Sequence, residues 1–171
     1  VDFDNGADEL RQLLSAADVV IEASRPAGLQ RRHLSADDVP ARPGRVWLRI
    51  NGYRDQPDRA AFGDDAAVGG GLVGSAGERP VFCGDAIADP LSGLEAARAA
   101  AQSLYRGGGE VIEVSMAAVA ATYAALPRES STGATPVAAP QPPPPSLPAP
   151  PLGADNAAVR HIVAERLCAP C

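Results

Sequence analysis

Asp18-Val19-Val20-Ile21-Glu22-Ala23-Ser24-Arg25-Pro26 decides the fold. Its short β-branched run is followed at once by a proline able to open a helix, so the stretch reads as a buried strand turning into a helix. Upstream, residues 7–16 carry Leu10, Leu13 and Leu14 at helical spacing, which predicts a helix before the strand. Downstream, Pro26 opens a short helix over 26–32, and Ser35-Ala36-Asp37-Asp38 has the capping-box pattern of a further helical start. Residues 46–50 repeat the strand signature and are closed by the turn signal Asn51-Gly52. The remainder predicts a glycine-rich helix over 64–74, an alanine-rich helix over 90–105, a strand over 110–114 and a helix over 115–126. Strands separated by helices imply an α/β fold: one mainly parallel sheet, built from 19–22, 46–50 and 110–114 and flanked by helices.

After Leu126 the composition changes. Ten of the 17 prolines fall between Pro127 and Pro151, and Gln141-Pro142-Pro143-Pro144-Pro145-Ser146 cannot join a helix or a sheet ladder. This predicts an α/β domain over 1–126, a proline-rich linker over 127–151, and a C-terminal helix and tail over 152–171. The linker reads as an extended spacer, with a ligand for aromatic-grooved modules as the alternative. Asp155 or Asn156 caps the last helix, whose Val159, Ile162, Val163 and Leu167 share a face that calls for a docking partner.

The chain has 171 residues, 46% of them hydrophobic and 21% charged, enough for one domain with a sizeable core. A net charge of −6 with scattered arginines lacks the basic stripe of a nucleic-acid binder. No apolar run approaches the ~20 residues of a membrane span, and no signal-peptide pattern follows Val1, so a cytoplasmic location is expected. Three cysteines give no disulfide framework. Cys168-Ala169-Pro170-Cys171 has CxxC spacing and His161 lies nearby, but neither the strand-to-helix context of a redox motif nor four zinc ligands accompany it, so no metal site is expected.

The chemistry centres on Cys83-Gly84-Asp85-Ala86-Ile87-Ala88-Asp89-Pro90-Leu91-Ser92-Gly93-Leu94. Asp followed by Pro is a natural helix N-cap and first-residue pair, so Asp89 is expected to cap the following helix. A carboxylate there can also serve as a nucleophile towards an activated acyl thioester, forming a mixed anhydride. Asp85 is the competing carboxylate and reads as a turn-former. Arg25 follows the first strand, where ligands gather at the carboxyl ends of parallel strands; a partnerless surface arginine is the alternative. Gly69-Gly70-Gly71-Leu72-Val73-Gly74 satisfies GxGxxG, but no hydrophobic strand precedes it, and close helix packing accounts for it better than a nucleotide loop.

These stretches resemble the class III CoA-transferase family (CaiB/BaiF), which includes formyl-CoA transferase and the α-methylacyl-CoA racemases. The resemblance implies the Rossmann-like part of that fold and an acyl-CoA:carboxylate CoA-transferase working through an aspartyl anhydride and an aspartyl-CoA thioester. Ala88-Asp89-Pro90-Leu91-Ser92-Gly93 matches the family's Ala-Asp-x-x-x-Gly segment, which makes Asp89 the nucleophile. Ser24-Arg25-Pro26 resembles an Arg-Pro-Gly segment near the CoA phosphates, with Ala27 as a departure, and Asn51-Gly52-Tyr53 resembles a Ser/Thr-Gly-aromatic turn, so Arg25, Asn51, Gly52 and Tyr53 are implied to bind CoA. Racemases carry Gly-His-Asp where this chain has Gly63-Asp64-Asp65, and an aspartate in the place of that histidine is a poorer acid/base partner, which disfavours racemisation.

The resemblance covers about 1–126 and returns at Pro150-Pro151-Leu152-Gly153-Ala154-Asp155. The family's opening βα unit and smaller inserted domain are expected to be absent. Acyl-CoA and a carboxylic acid are the implied ligands, with coenzyme A as substrate and no cofactor, and a homodimer or complementary chain as partner. Two other readings stay open: a non-catalytic acyl-CoA-binding subunit that needs a partner chain, and an interaction module acting through the proline-rich tail.

Overall fold

A computed structural model of the protein describes residues 5–127, 138–139, 141–142, 144 and 147–168. The 169–171 end of the CxxC motif and much of the proline-rich stretch lie outside the described residues.

The leucines at helical spacing form α1 (Ala7–Ala16), and the β-branched run forms β1 (Val19–Glu22). Pro26 opens α2 (Pro26–Gln30) as its first residue, and β2 follows (Val46–Asn51). Next come α3 (Gly63–Gly69), β3 (Val73–Ala76), β4 (Arg79–Phe82), α4 (Ala88–Tyr105), β5 (Val111–Ser115) and α5 (Met116–Ala124). β1, β2 and β5 make one sheet in the order β1-β2-β5, parallel throughout as expected, with Ile21 opposite Leu48 and Leu48 opposite Ile112.

Successive strand residues point to opposite faces, and each face of the sheet has its own cover. Val46, Leu48 and Val114 bury against Ala96 and Ala100, whose small side chains let α4 lie close to the sheet. On the other face Val20 and Trp47 pack with Val39, Leu14 and Ala36. A third cluster, of Ala66, Ala67, Ala88, Met116 and Ala120, joins α3, α4 and α5 behind the carboxyl end of β2.

Two sequence expectations need correction. Ser35 to Asp38 makes half of a capping box without a helix: the Asp38 carboxylate accepts from the Ser35 N–H (3.3 Å), but the Ser35 hydroxyl donates to that carboxylate (2.5 Å) while the Asp38 N–H goes to the Ser35 carbonyl, and the hydroxyl bond chiefly holds the Asp38 pKa below the usual value. Pro40 follows Val39 and has no N–H to extend the turn, so the nucleus does not propagate. The glycine-rich helix also stops early. Gly71 takes a left-handed φ of +75°, and 73–76 then pairs antiparallel with 79–82 through a two-residue turn at Gly77-Glu78, where Gly77 has φ +64°. A glycine leading a two-residue loop is a hairpin signal, and here it outweighs the helical reading.

Within the GxGxxG stretch the expected close helix packing is made at Gly70, whereas Gly71, with nothing within 4 Å of an added Cβ, serves the turn. A Cβ on Gly70 would fall 2.4 Å from the Ala117 carbonyl oxygen and 2.7 Å from Ala120 Cβ, so α3 and α5 approach closely because that atom is missing. No helix among the described residues is long and apolar enough to cross a membrane, and no group of three or more His, Cys, Asp or Glu among them is placed to hold a metal ion.

The C-terminal segment contains α6 (Asn156–Cys168). Its expected apolar face is exposed at Val159, Ile162 and Leu167, and His161 pairs with Glu165 one turn on, at 3.2 Å.

Candidate active site

A cavity of about 560 Å³ opens at the carboxyl ends of β1 and β2. Arg25, Asn51, Gly52, Arg59, Phe62, Asp89 and Met116 stand on its wall. Four of the five site residues expected from sequence therefore share one cavity; Tyr53 is not among them.

Arg25 is carried by the short loop between β1 and α2, in extended conformation immediately before Pro26. The N–H of Ala27 donates to the Asp58 carboxylate (3.4 Å), which ties this loop to the segment bearing Arg59. Asn51 ends β2 opposite Ser115 of β5. Gly52 is buried, and its carbonyl accepts from the Ala117 N–H (3.0 Å) and the Ser115 hydroxyl (3.4 Å). A Cβ on Gly52 would lie 2.3 Å from Ala61 Cβ, so the wall closes here only around glycine. The Asn51 side-chain oxygen is buried without a hydrogen-bond partner among the described residues. A buried acceptor without a donor is costly, and a ligand N–H or O–H would satisfy it.

Asp89 is the second residue of α4 and not its cap. Ile87 already has helical dihedrals (φ −58°, ψ −27°), so the chain winds into the helix two residues earlier than the Asp-Pro pair suggests. Proline is tolerated as the third residue because the first N–H groups of a helix have no intrahelical acceptor. The preceding turn is latched: the Asp64 carboxylate accepts from the Ala86 N–H at 2.9 Å, and a Cβ on Gly63 would meet the Ala86 carbonyl oxygen at 2.4 Å. Ala88 is fully buried among the alanines of α3 and α5, while Asp89 beside it is exposed and its carboxylate makes no ion pair or side-chain hydrogen bond among the described residues. Asp85 lies exposed in the turn, as expected, and off the cavity wall.

Tyr53 turns away from the cavity. Its hydroxyl donates to the Asp65 carbonyl (3.2 Å), its ring packs on Gly69, and the Arg59 guanidinium stacks on that ring at 4.2 Å from the centroid. Sequence reasoning missed Arg59. It sits in an irregular segment, 53–62, with no periodicity to give its direction, and only its distance from the Tyr53 ring distinguishes it from other surface arginines.

Beside this cavity a smaller one of about 160 Å³ is lined by Glu22, Arg49, Asn51 and Glu113 among others. Glu22 is buried and accepts from the Trp47 indole N–H at 2.8 Å, with Arg49 at 3.6 Å; Arg49 also pairs with Asp37 at 3.3 Å. A third, about 380 Å³, lies between β5, α4 and α5, but its Glu95 and Arg98 pair with each other at 2.7 Å and Tyr123 donates to Glu95. The larger cavity by β1 and β2 differs in kind. It presents two guanidiniums and one carboxylate, none with an ion-pair partner among the described residues, an arrangement suited to an anionic ligand beside an unpaired carboxylate.

CoA-transferase family III matches residues 2–147 of the chain. Among solved structures, the chain is similar to the hypothetical protein Rv3272 from Mycobacterium tuberculosis, at 24% identity and a TM-score of 0.63, covering 72% of this chain and 40% of that one. It is also similar to a CAIB/BAIF family protein from Brucella suis, at 27% identity and a TM-score of 0.64, covering 73% of this chain and 36% of the other. The chain thus spans about two fifths of the length of the solved proteins it resembles. No curated protein matches it. With the family matched over most of its length and its parallel α/β fold shared with a CaiB/BaiF protein, the chain belongs to CoA-transferase family III.

Proposed function

We propose that the protein handles acyl-CoA as a CoA-transferase, exchanging coenzyme A between an acyl thioester and a carboxylic acid through Asp89. One observation carries this reading: Asp89, Arg25, Asn51 and Gly52, from three separate parts of the chain, share the wall of one cavity at the carboxyl ends of parallel strands. In the first step a carboxylate oxygen of Asp89 attacks the thioester carbonyl, the C–S bond breaks, and the CoA thiolate leaves a mixed anhydride. The thiolate then attacks the aspartyl carbonyl, releasing the first carboxylate and forming an aspartyl-CoA thioester. The incoming carboxylate repeats the sequence in reverse, and Asp89 is regenerated with no net proton change. Arg25 supplies charge for a CoA phosphate, Asn51 offers its buried oxygen to a ligand N–H or O–H, and Gly52 lets the ligand approach the backbone. Coenzyme A enters as substrate.

Incubation with acyl-CoA followed by mass spectrometry of the Asp89 peptide tests this. The expected result is a covalent CoA adduct on Asp89; CoA binding without an adduct overturns the nucleophile. Replacing Arg25 with alanine should weaken CoA binding by about 1.5–3 kcal/mol, the worth of a charge-assisted hydrogen bond, on the order of 10- to 100-fold in calorimetry. An unchanged dissociation constant removes Arg25 from the site.

One observation favours a second reading, an acyl-CoA-binding subunit completed by a second copy or a complementary chain. The outer edge of β1 has no strand partner among the described residues, and Ile21 there is 66% exposed. Racemisation has less support, because Asp64, at the position of the racemase histidine, already holds the Ala86 N–H.

A further inference from the structure

We propose that the protein also hydrolyses acyl-CoA, with water taking the place of the acceptor acid at an aspartyl-CoA thioester on Asp89. This rests on the CoA-transfer reading above and adds a second acceptor to it.

The cavity has a covered floor and a wet rim. Gly52 and Met116 on its wall are buried, whereas Arg25, Phe62 and Asp89 are exposed, so the carboxylate stands at the mouth. Its exposure is set by the backbone of α4 and not by a choice of rotamer. Ala88 is the residue that packs inward here, fully buried among the alanines of α3 and α5. Asp89, the next residue, is turned about 100° from it around the helix axis, and Pro90 after it is exposed as well. Swinging Asp89 under cover would pull Ala88 out of its cluster. Phe62, an aromatic side chain on the same wall, is 74% exposed, so little of its ring can roof the carboxylate.

A site that passes a reactive acyl group from one acceptor to another has to exclude water, because water is itself an acceptor. At an exposed aspartyl carbonyl that exclusion is missing. The hydrolytic route balances as follows. Asp89 attacks the thioester, and the CoA thiolate leaves and returns to the aspartyl carbonyl of the mixed anhydride. The acid departs with one oxygen that belonged to Asp89. Water then adds to the aspartyl carbonyl of the remaining thioester and the C–S bond breaks; the thiolate takes one proton of the water, and the other goes to solvent as Asp89 returns to its carboxylate form. The net change is acyl-CoA and water to a carboxylate, free CoA and a proton. In each turnover Asp89 gives an oxygen to the acid and regains one from water, a trace that direct attack of water on the bound acyl thioester does not leave.

The test incubates the full chain with acetyl-, butyryl- or octanoyl-CoA in water labelled with heavy oxygen, with no acid added. Free CoA is followed by chromatography and the Asp89 peptide by mass spectrometry. CoA release is expected to run through many turnovers, at least about tenfold faster than in Asp89→Asn, and to leave heavy oxygen in Asp89. Asp85→Asn, off the cavity wall, should release CoA at the wild-type rate. Release no faster than in Asp89→Asn overturns the proposal, and so does fast release that leaves Asp89 unlabelled. A parallel arm with propionate added separates this from the reading beneath it. Propionyl-CoA formed without hydrolysis upholds CoA transfer and refutes the hydrolase. Hydrolysis with a labelled Asp89 and no propionyl-CoA upholds the hydrolase and refutes transfer to an acid, and the absence of both products overturns both.

Discussion

Replacing Trp47 with alanine is expected to lower the unfolding free energy by about 3–5 kcal/mol in urea denaturation. Trp47 is 1% exposed as the second residue of the central strand, and its ring fills the space between Val20, Val39 and Leu14 while Arg45 lies 5.4 Å from its centroid. Its indole N–H is also the close donor to the buried Glu22 carboxylate. Alanine removes both the packing and the donor. Against a total stability of about 5–15 kcal/mol typical of such a domain, the loss should leave a large unfolded fraction on mild warming. Trp47→Phe separates the two terms, since it keeps most of the apolar contact and leaves Glu22 with Arg49 alone, for a cost of about 1–3 kcal/mol. A phenylalanine variant as stable as the wild type would show that the indole bond to Glu22 contributes nothing.

The same residue shows how much of the fold was legible in the sequence. Val19 to Glu22 and the strand around Trp47 stand out because a buried parallel strand is nearly continuous in β-branched and apolar residues, and each is bounded by a proline or a turn signal. The Ala-rich helix was equally plain, and its spacing of Ala96 and Ala100 is what seats it on the sheet. The hairpin of β3 and β4 was not legible. Its strands are short and mostly exposed, so no alternation marked them, and the glycines before them suited a helix as well as a turn. The segment from Ser35 to Asp38 failed differently. One of the two hydrogen bonds it advertises, from the Ser35 N–H to the Asp38 carboxylate, does form, but two prolines nearby deny the helix its next turns.

At the candidate site, the shared cavity wall of Arg25, Asn51, Gly52 and Asp89 was legible because they follow strands or open a helix, where a parallel α/β fold gathers ligands. Tyr53 stands off the cavity wall and Arg59 on it for one reason. Direction in an irregular loop depends on contacts that sequence spacing does not encode, and here one residue supplies the platform while its neighbour in space faces the cavity. The resemblance identified the loop, and the stacking geometry sorted its residues.

Asp89→Asn is expected to reduce CoA transfer by about 10³-fold or more while leaving the fold intact. An amide oxygen is too weak a nucleophile to open a thioester, so neither the anhydride nor the aspartyl-CoA adduct should form. Stability should hardly move. Asp89 lies inside the first turn without a capping bond, and its carboxylate is exposed, so asparagine forfeits only a surface interaction with the helix dipole, about 0.3–1 kcal/mol at low ionic strength. Asp85→Asn is the matched control: four residues away, exposed and off the cavity wall, it should retain activity within about twofold, the small change expected of a surface substitution. Turnover with acyl-CoA and an acid, measured beside thermal unfolding of both variants, decides the assignment. An Asp89→Asn protein that still transfers CoA at the wild-type rate excludes this carboxylate as nucleophile, and one that loses its fold together with its activity gives Asp89 a structural role that its exposed, unbonded side chain does not predict.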